Sequence, residues 1–179
     1  LTPLDGLMMG TRSGSIDPSI LEYVMNESGK SIEEITNDLN KNSGLKGIAG
    51  VADCRDVEKL AEEDNDNALL AIQMYTDRIA KYIVSYYLEL KGDVDSIVFT
   101  AGVLENGSYM RRLIIEKLSP LGITLNEDIN SKIASFKDIH EGIISGADSK
   151  INVMVLPTNE EIMIVKDAFN IALHTEDNK

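Results

Sequence analysis

The stretch DSIVFTAGVLENGSYMRRLIIEKL, residues 95–118, decides the class of fold that this sequence predicts. Its first part, residues 95–100, is a short run rich in β-branched and aromatic residues, which is typical of a strand. Residues 101–107 follow as a glycine-containing turn, and from Met110 to Leu118 apolar residues recur at helical spacing. The stretch therefore predicts a strand, a tight turn and a helix.

The same order recurs near the end of the chain. Residues 153–156 predict a strand that Pro157 stops, and Thr158 and Glu161 have the spacing of a capping box at the start of a last helix. The predicted buried face of this helix consists of Ile162, Val165, Phe169 and Ala172. Residues 122–125 predict a further strand. Such alternation predicts an α/β domain with a mostly parallel sheet, whose ligands bind at the carboxyl ends of the strands.

The first half of the chain is predominantly helical by pattern. Helices are predicted over residues 18–26, 31–40, 55–63 and 65–90, whereas the glycines of residues 43–53 predict a loop with a short extended piece. The longest helix has an apolar stripe that we interpret as core, formed by Ile72, Tyr75, Ile79, Ile83, Tyr86 and Leu90.

Composition limits the function. The 179 residues, 43% of them hydrophobic, suit one globular domain or part of a larger protein, and no apolar run is long enough to span a membrane. The net charge of −13 argues against nucleic acid and anionic membranes as partners. The single cysteine, Cys54, excludes an internal disulfide and suits a reducing cytoplasm. Because the chain begins with Leu1 rather than methionine, we expect it to be a piece of something longer.

The loop GTRSGS, residues 10–15, has one arginine between two glycines and three hydroxyls. A guanidinium keeps its charge and offers a planar fork of donors, so Arg12 suits a phosphoryl group or a carboxylate. The alternative is structural, because Ser15 or Asp17 could cap a helix whose first position is Pro18.

Two predicted loops lie between a strand end and a helix start, where backbone amides and the helix dipole favour a phosphate. In the first, Gly102 can take a positive φ, and Glu105 and Asn106 can hydrogen-bond a ribose, an adenine edge or the next helix. In the second, Glu160 is a candidate partner for magnesium, which prefers oxygen ligands. The alternatives are a turn with a helix cap for the first loop and helix-dipole stabilisation for Glu160.

A third candidate is the charged cluster DCRD, residues 53–56. Asp53 or Asp56 could simply cap the helix that follows, and Arg55 could lie on its solvated face. Cys54 has no histidine near it in sequence and is better explained as a small buried residue than as a nucleophile.

Together these segments resemble one family. The matching stretches are LTPLDGLMMGTRSGSIDP at residues 1–18, KNSGLKGIAG with DCRD at 41–56, VFTAGVLEN at 98–106 and LPTNEE at 156–161. The chain resembles the C-terminal part of acetate kinases, in the superfamily of acetate and sugar kinases, Hsp70 and actin. The resemblance implies an α/β, ribonuclease H-like and actin-like ATPase domain, of which residues 1–179 form the C-terminal lobe, incomplete at its N-terminal side.

The resemblance also implies roles for particular residues. Arg12 matches an active-site arginine beside the transferring phosphoryl group, and Glu160 matches a glutamate associated with Mg²⁺ (or Mn²⁺). The nucleotide contacts fall on Asp53, Cys54, Arg55, Gly102, Val103, Leu104, Glu105 and Asn106. Cys54 replaces the family's usual aromatic residue and Leu104 replaces a second glycine, so a stacking contact is expected to be lost and the ligand to be crowded at these positions.

The implied activity is reversible transfer of the γ-phosphoryl group of ATP to acetate, in a cytoplasmic enzyme that pairs as a homodimer. Propionate kinase is an alternative, because the two acids differ by one methylene. A non-catalytic nucleotide-binding or interaction module of the same fold is the alternative from another class. Acetate kinases are about twice this length, so an N-terminal domain of the same polypeptide is expected to be missing, and the isolated chain is expected to be inactive.

Overall fold

The computed structural model describes residues 4–134 and 137–176, without the side chains of Glu160 and residues 172–176. Within this part, five helices precede the first strand, and the remaining helices lie between the strands or after the last one. The helices are α1 Ser19–Ser28, α2 Ile32–Lys41, α3 Gly44–Ala49, α4 Cys54–Glu62, α5 Asp66–Glu89, α6 Ala101–Asn106, α7 Ser108–Lys117, the 3₁₀ turn η1 Ser119–Leu121, α8 Glu127–Asn130 and α9 Glu160–Glu176. The strands are β1 Ser96–Phe99, β2 Gly142–Ile143 and β3 Asn152–Val155. No helix in the described residues is long and apolar enough to cross a membrane.

The three strands form one sheet in the order β1-β3-β2. Strands β1 and β3 are parallel, with Ser96 opposite Asn152 and Phe99 opposite Val155, and β2 adds to β3 in the antiparallel direction. The predicted combination of helices and strands is therefore confirmed, but the described sheet is mixed rather than mostly parallel. The carboxyl ends of β1 and β3 lie side by side.

The strand predicted at residues 122–125 is wrong. Gly122 instead ends η1 in a left-handed conformation, and Ile123 is buried in the core. Only Leu125 makes a β-bridge, to Ser145. The apolar residues of this segment are explained by burial rather than by pairing in the sheet.

The loop predicted at residues 43–53 is also wrong in part, because α3 occupies its first half. Gly44 has a φ of +62°, and a Cβ atom there would lie 2.0 Å from the carbonyl oxygen of Met9. This glycine therefore permits close approach of two backbone segments rather than breaking a helix. The next residue, Leu45, is fully buried.

Two hydrophobic clusters hold the elements together. One surrounds the sheet and includes Phe99, Ile114, Val153 and Val155, and the other joins α3, α4, α7 and the first half of α5. Helix α5 contributes to both, so it connects the sheet with the helical part that precedes it. Its predicted stripe is core only over Ile72, Tyr75, Ile79 and Ile83, whereas Tyr86 and Leu90 are exposed.

The first turns of α2 and α9 test the capping boxes that the sequence predicts. The capping box of Ser31 and Glu34 opens α2 as predicted. In α9 the cap is Asn159, whose Oδ1 accepts a hydrogen bond from the Ile162 amide at 3.0 Å, so the predicted capping box of Thr158 and Glu161 is wrong.

The predicted buried face of α9 is also wrong where it can be tested. The exposed fractions of Ile162, Val165 and Phe169 are 48%, 64% and 62%. The side chain of Ala172 lies outside the described residues.

Candidate functional site

The backbone of the arginine loop is fixed by its own hydrogen bonds. The Met9 amide donates to the Arg12 carbonyl at 3.0 Å, and the Ser15 amide donates to the Gly6 carbonyl at 3.0 Å. Gly14 has a φ of +71°, and a Cβ there would lie 2.6 Å from the Gly6 carbonyl oxygen. The loop is therefore a preformed turn that presents Arg12, and glycine is required at residue 14.

Helix α5 also holds this loop. Arg78 Nη1 donates a hydrogen bond to the Ser15 carbonyl at 3.1 Å. Beside the loop, Asp17 Oδ1 accepts a hydrogen bond from the Ser19 amide at 2.9 Å and so supports the start of α1, but the N-cap is Pro18 rather than Ser15 or Asp17. This contact occupies Asp17 alone and leaves Arg12 available.

The Arg12 side chain lines an open groove of about 550 Å³ between the loop and α2. Among the described residues its guanidinium has one hydrogen-bond partner, the Sδ atom of Met9 at 3.9 Å, and it forms no ion pair. A guanidinium with free donors on a fixed loop is suited to bind an anion.

Helix α2 supplies the rest of this groove, and no sequence motif had indicated its role. The lining residues are Ile32, Glu33, Thr36, Asn37, Asn40 and Lys41. Their spacing of three and four residues places them on one helix face, a polar stripe that could have been found in the sequence. The groove thus combines cationic and amide groups, with one carboxylate.

The charged cluster at residues 53–56 lies at the start of α4. Asp53 is the N-cap, and its Oδ1 accepts hydrogen bonds from the Arg55 amide at 2.9 Å and from Arg55 Nε at 3.0 Å. Arg55 Nη2 donates to the other oxygen at 2.6 Å. These hydrogen bonds lower the pKa of Asp53 to about 2. The capping alternative is therefore realised, and the exposed Arg55 fork is held in place by Asp53.

Cys54 is half-buried, so the sequence prediction of a small buried residue holds only in part. It packs against the cluster formed by Met8, Leu45 and Val57. Burial, followed by the charges of nearby carboxylates, raises the pKa of its thiol to about 11. The thiol is therefore protonated at neutral pH, which disfavours a role as nucleophile.

The turn after β1 differs from the prediction. Helix α6 begins directly at Ala101, which itself takes the left-handed conformation with a φ of +63°, whereas Gly102 has no positive φ. A Cβ at Gly102 would meet no atom within 4 Å, so the open space there faces away from the protein. Leu104 is helical and packs against both hydrophobic clusters, so this position does not require the conformational freedom of a glycine.

Glu105 lies on the same helix and is buried, with an exposed fraction of 8%. Its Oε1 atom accepts hydrogen bonds from the Thr158 amide at 2.8 Å and from Thr158 Oγ1 at 3.0 Å. Burial raises the pKa of Glu105, but hydrogen bonds from Thr158, the Ala101 backbone and the Thr100 hydroxyl together outweigh this effect and the pKa is lowered overall. The two strand-end loops that were predicted separately are thus joined through one carboxylate.

A buried arginine supports this region and was not predicted. Arg111 in α7 is fully buried, and its Nη1 donates to the carbonyls of Leu104 and Glu105 at 2.7 and 2.9 Å. Its remaining donors reach Asn130 and Ile133 at 2.8 to 3.0 Å. Burial lowers the pKa of Arg111 to about 10, so it remains charged at neutral pH.

Glu160 is the first residue of α9, and its side chain lies outside the described part of the structure. Within the described residues no group of three or more histidine, cysteine, aspartate or glutamate side chains could hold a metal ion. The metal role of Glu160 therefore stays a prediction.

The predicted segments form a continuous series in space. A Cβ at Gly10 would lie 2.7 Å from the carbonyl oxygen of Ala52, next to Asp53. Cys54 and Leu104 then pack against one cluster, and Glu105 continues the series to Thr158.

Known proteins are similar to this chain over most of its length. The sequence profile of the acetokinase family matches residues 1–166. The chain belongs to the acetokinase family. The profile includes Arg12, residues 53–55 and residues 102–106, so all the described candidate residues lie in the matched region.

Curated acetate kinases that match the chain strongly are 44–51% identical to it. The acetate kinase of Thermoanaerobacterium thermosaccharolyticum is 51% identical over 172 residues, which cover 95% of this chain and 42% of that protein. The chain thus spans about two fifths of the length of the curated relatives that it matches.

Solved structures of the acetokinase family have the same fold. A propionate kinase from Francisella tularensis subsp. tularensis SCHU S4 superposes with a TM-score of 0.82 at 46% identity, covering 91% of this chain and 40% of that one. The acetate kinase of Porphyromonas gingivalis gives a TM-score of 0.85 at 38% identity, covering 96% of this chain and 42% of that one. The mixed α/β architecture is therefore that of acetate and propionate kinases.

Proposed function

We propose that this chain is the C-terminal, nucleotide-binding lobe of a longer polypeptide, called the complete protein below, that phosphorylates acetate. The complete protein would have the ribonuclease H-like and actin-like organisation of two lobes, with an N-terminal part that completes the site. We further propose that it is a cytoplasmic homodimer. The length of the chain relative to its relatives supports the first of these statements.

The observation that carries the proposal is the position of Arg12. Its guanidinium stands on a fixed glycine-rich loop, without an acidic partner among the described residues, at an open groove. By contrast, Arg112 is paired with Glu116, and the buried Arg111 donates to carbonyls of α6 and α8. An arginine with free donors in an otherwise acidic chain is suited to bind the charge of a phosphoryl group.

The reaction itself needs little covalent chemistry from the protein. A carboxylate oxygen of acetate attacks the γ-phosphorus of ATP, the bond to the β,γ-bridging oxygen breaks, and ADP leaves as acetyl phosphate forms. Positioning and stabilisation of charge supply the catalysis. Arg12 would contact the transferring group, and the side of α6 at Gly102 would approach the adenosine. Asp53, Cys54 and Arg55, with Val103, Leu104 and Asn106, would complete the nucleotide side.

A divalent cation, Mg²⁺ or Mn²⁺, would neutralise phosphate charge when the nucleotide is bound. Glu160 is the residue of this chain that we propose for it, directly or through water. Glu160 lies in the first turn of α9, after the carboxyl end of β3. Ligands of α/β proteins bind at the carboxyl ends of parallel strands.

Steady-state kinetics of the complete protein tests this proposal. With ATP, magnesium and either acid, we expect acetyl phosphate formation, and we expect kcat/KM for acetate to exceed that for propionate about tenfold, within the range for one methylene. The isolated chain, as a matched control, is expected to form none. Turnover by the isolated chain, or no turnover by the complete protein, would contradict the proposal.

Propionate kinase is a second candidate, because the propionate kinase structure from Francisella tularensis is 46% identical to this chain over the aligned part. A larger kcat/KM for propionate in the same experiment would favour it. A non-catalytic nucleotide-binding or interaction module remains the third possibility. It would bind no ADP with magnesium, or would bind ADP without forming either acyl phosphate.

A further inference from the structure

The carboxyl ends of β1 and β3 lead into two segments. If both contribute to one site, the distance between them has to be fixed. The parallel pairing ends at Phe99 and Val155, and one further hydrogen bond, from the Leu156 amide to the Phe99 carbonyl, extends it. Beyond this point the chain turns into α6 on one side and continues to Thr158 on the other. Backbone pairing in the sheet therefore no longer fixes their separation.

The Glu105 carboxylate spans this gap. One of its oxygens accepts both hydrogen-bond donors of Thr158, the amide at 2.8 Å and the hydroxyl at 3.0 Å. The residue is buried, and its donors are neutral groups of the protein itself. Hydrogen bonds to an ionised carboxylate are stronger than those between neutral groups, so this contact is suited to hold two segments together.

The same residue is fixed through its backbone. Arg111 Nη1 donates to the Glu105 carbonyl at 2.9 Å, and the Arg111 side chain is fully buried. Glu105 is thus held from α7 at its main chain while its side chain holds Thr158. The resulting contact series runs from α7 through α6 to the residue that precedes Asn159, the cap of α9.

We propose that Glu105 is a positioning residue, not a direct nucleotide ligand, and that its contact with Thr158 sets the nucleotide-side helix α6 against the segment after β3. This inference rests on the proposed function, because the nucleotide site is part of that proposal. It replaces the role expected for Glu105 from the sequence, where the carboxylate was a candidate ligand of the ribose or adenine.

The test is a double-mutant cycle in the complete protein with Glu105→Ala, Thr158→Val and both changes together. Valine keeps the shape of threonine and removes only the hydroxyl donor. We expect the ADP dissociation constant to rise about tenfold for Glu105→Ala and about threefold for Thr158→Val, as for the loss of hydrogen bonds to a charged group. Because the two changes break one contact, the double variant should equal Glu105→Ala.

Two further variants separate this role from others. Glu105→Gln keeps an oxygen that can accept both Thr158 donors, so its ADP affinity should stay within about twofold of the wild type. Glu116→Gln removes a carboxylate from an exposed pair with Arg112 and is the matched control, expected to change nothing measurable. The KM for acetate should be unchanged in all of them, whereas a general loss of folded protein would lower kcat without changing ADP affinity.

The outcomes are distinct. Multiplying effects in the double variant, or an unaffected Thr158→Val beside a weakened Glu105→Ala, would overturn the positioning role and favour direct contact of Glu105 with the nucleotide. A wild-type protein that binds ADP but forms no acyl phosphate would contradict the proposed kinase activity. The double-mutant cycle could still be measured from the ADP dissociation constants. A wild-type protein that binds no ADP would overturn both.

Discussion

Replacing Arg12 by lysine in the complete protein is expected to lower kcat about a hundredfold or more, the range seen when one donor to a developing charge is removed. Lysine keeps the positive charge but loses the planar fork, and its ammonium would extend from the same fixed loop. The groove beside Arg12 is formed by polar groups of α2, so the fold should accept the change. The measurement is the initial rate of acetyl phosphate formation at saturating ATP and acetate.

ADP binding is the internal control for this variant. We expect the ADP dissociation constant of Arg12→Lys to stay within about threefold of the wild type, because the loss concerns a group bound chiefly in the transition state. Arg112→Lys is the matched control, since Arg112 lies on the surface of α7 against the ring of Tyr109. An unchanged kcat for Arg12→Lys would refute the role of Arg12.

Replacing Arg111 by methionine is expected to destabilise the protein by about 3–5 kcal/mol, which is a large part of the stability of an ordinary domain. Methionine fills part of the volume but donates no hydrogen bond. Carbonyl groups of α6 and α8 that now accept from the guanidinium would remain buried without partners. The midpoint and slope of urea unfolding, followed by circular dichroism, measure the change.

The neighbouring arginine provides the control for this prediction. Arg112 has an exposed side chain and a single ion pair to Glu116 at 3.5 Å. Arg112→Met should therefore change the stability by less than about 1 kcal/mol. Equal effects of the two substitutions would show that the buried hydrogen bonds of Arg111 contribute nothing specific.

These adjacent arginines show why the sequence could not predict the whole site. In the pattern MRRL, the two arginines are adjacent between Met110 and Leu113, and residue type does not distinguish them. Only the tertiary packing of α7 places Arg111 inward, against the carbonyls that end α6 and α8. The strand, turn and helix around them were predictable, because they depend on local runs of residue types.

The errors at glycines have a common physical cause. The sequence predicts a loop at residues 43–53 because glycine is a poor helix former, but Gly44 is required where the backbone of α3 meets that of the arginine loop. Similarly, the positive φ expected at Gly102 belongs to Ala101. Long-range contact and the exact turn position are not encoded in local propensity.

Some residues of the candidate site could be predicted from the sequence, and others required the fold. Arg12, Gly102, Glu105 and Asn106 were candidates because their residue types suit an anion or a nucleotide, whereas the nucleotide roles of residues 53–55, Val103 and Leu104 came from the resemblance to acetate kinases. The contact between Glu105 and Thr158 joins residues 53 positions apart and depends on the parallel pairing of β1 with β3. The polar stripe of α2 was legible by spacing, yet its relation to Arg12 required the fold.

The central claim, that the surface of α6 at Gly102 receives the nucleotide, is tested most directly by titrating the complete protein with ADP and magnesium in wild-type and Gly102→Leu forms. An added Cβ atom there has open space and Gly102 is helical, where leucine has the higher propensity, so the unfolding midpoint should not fall. We predict saturable binding by the wild type and at least about tenfold weaker binding by the variant, the size of an overpacking penalty. Equal ADP affinity of the two folded proteins would contradict the account.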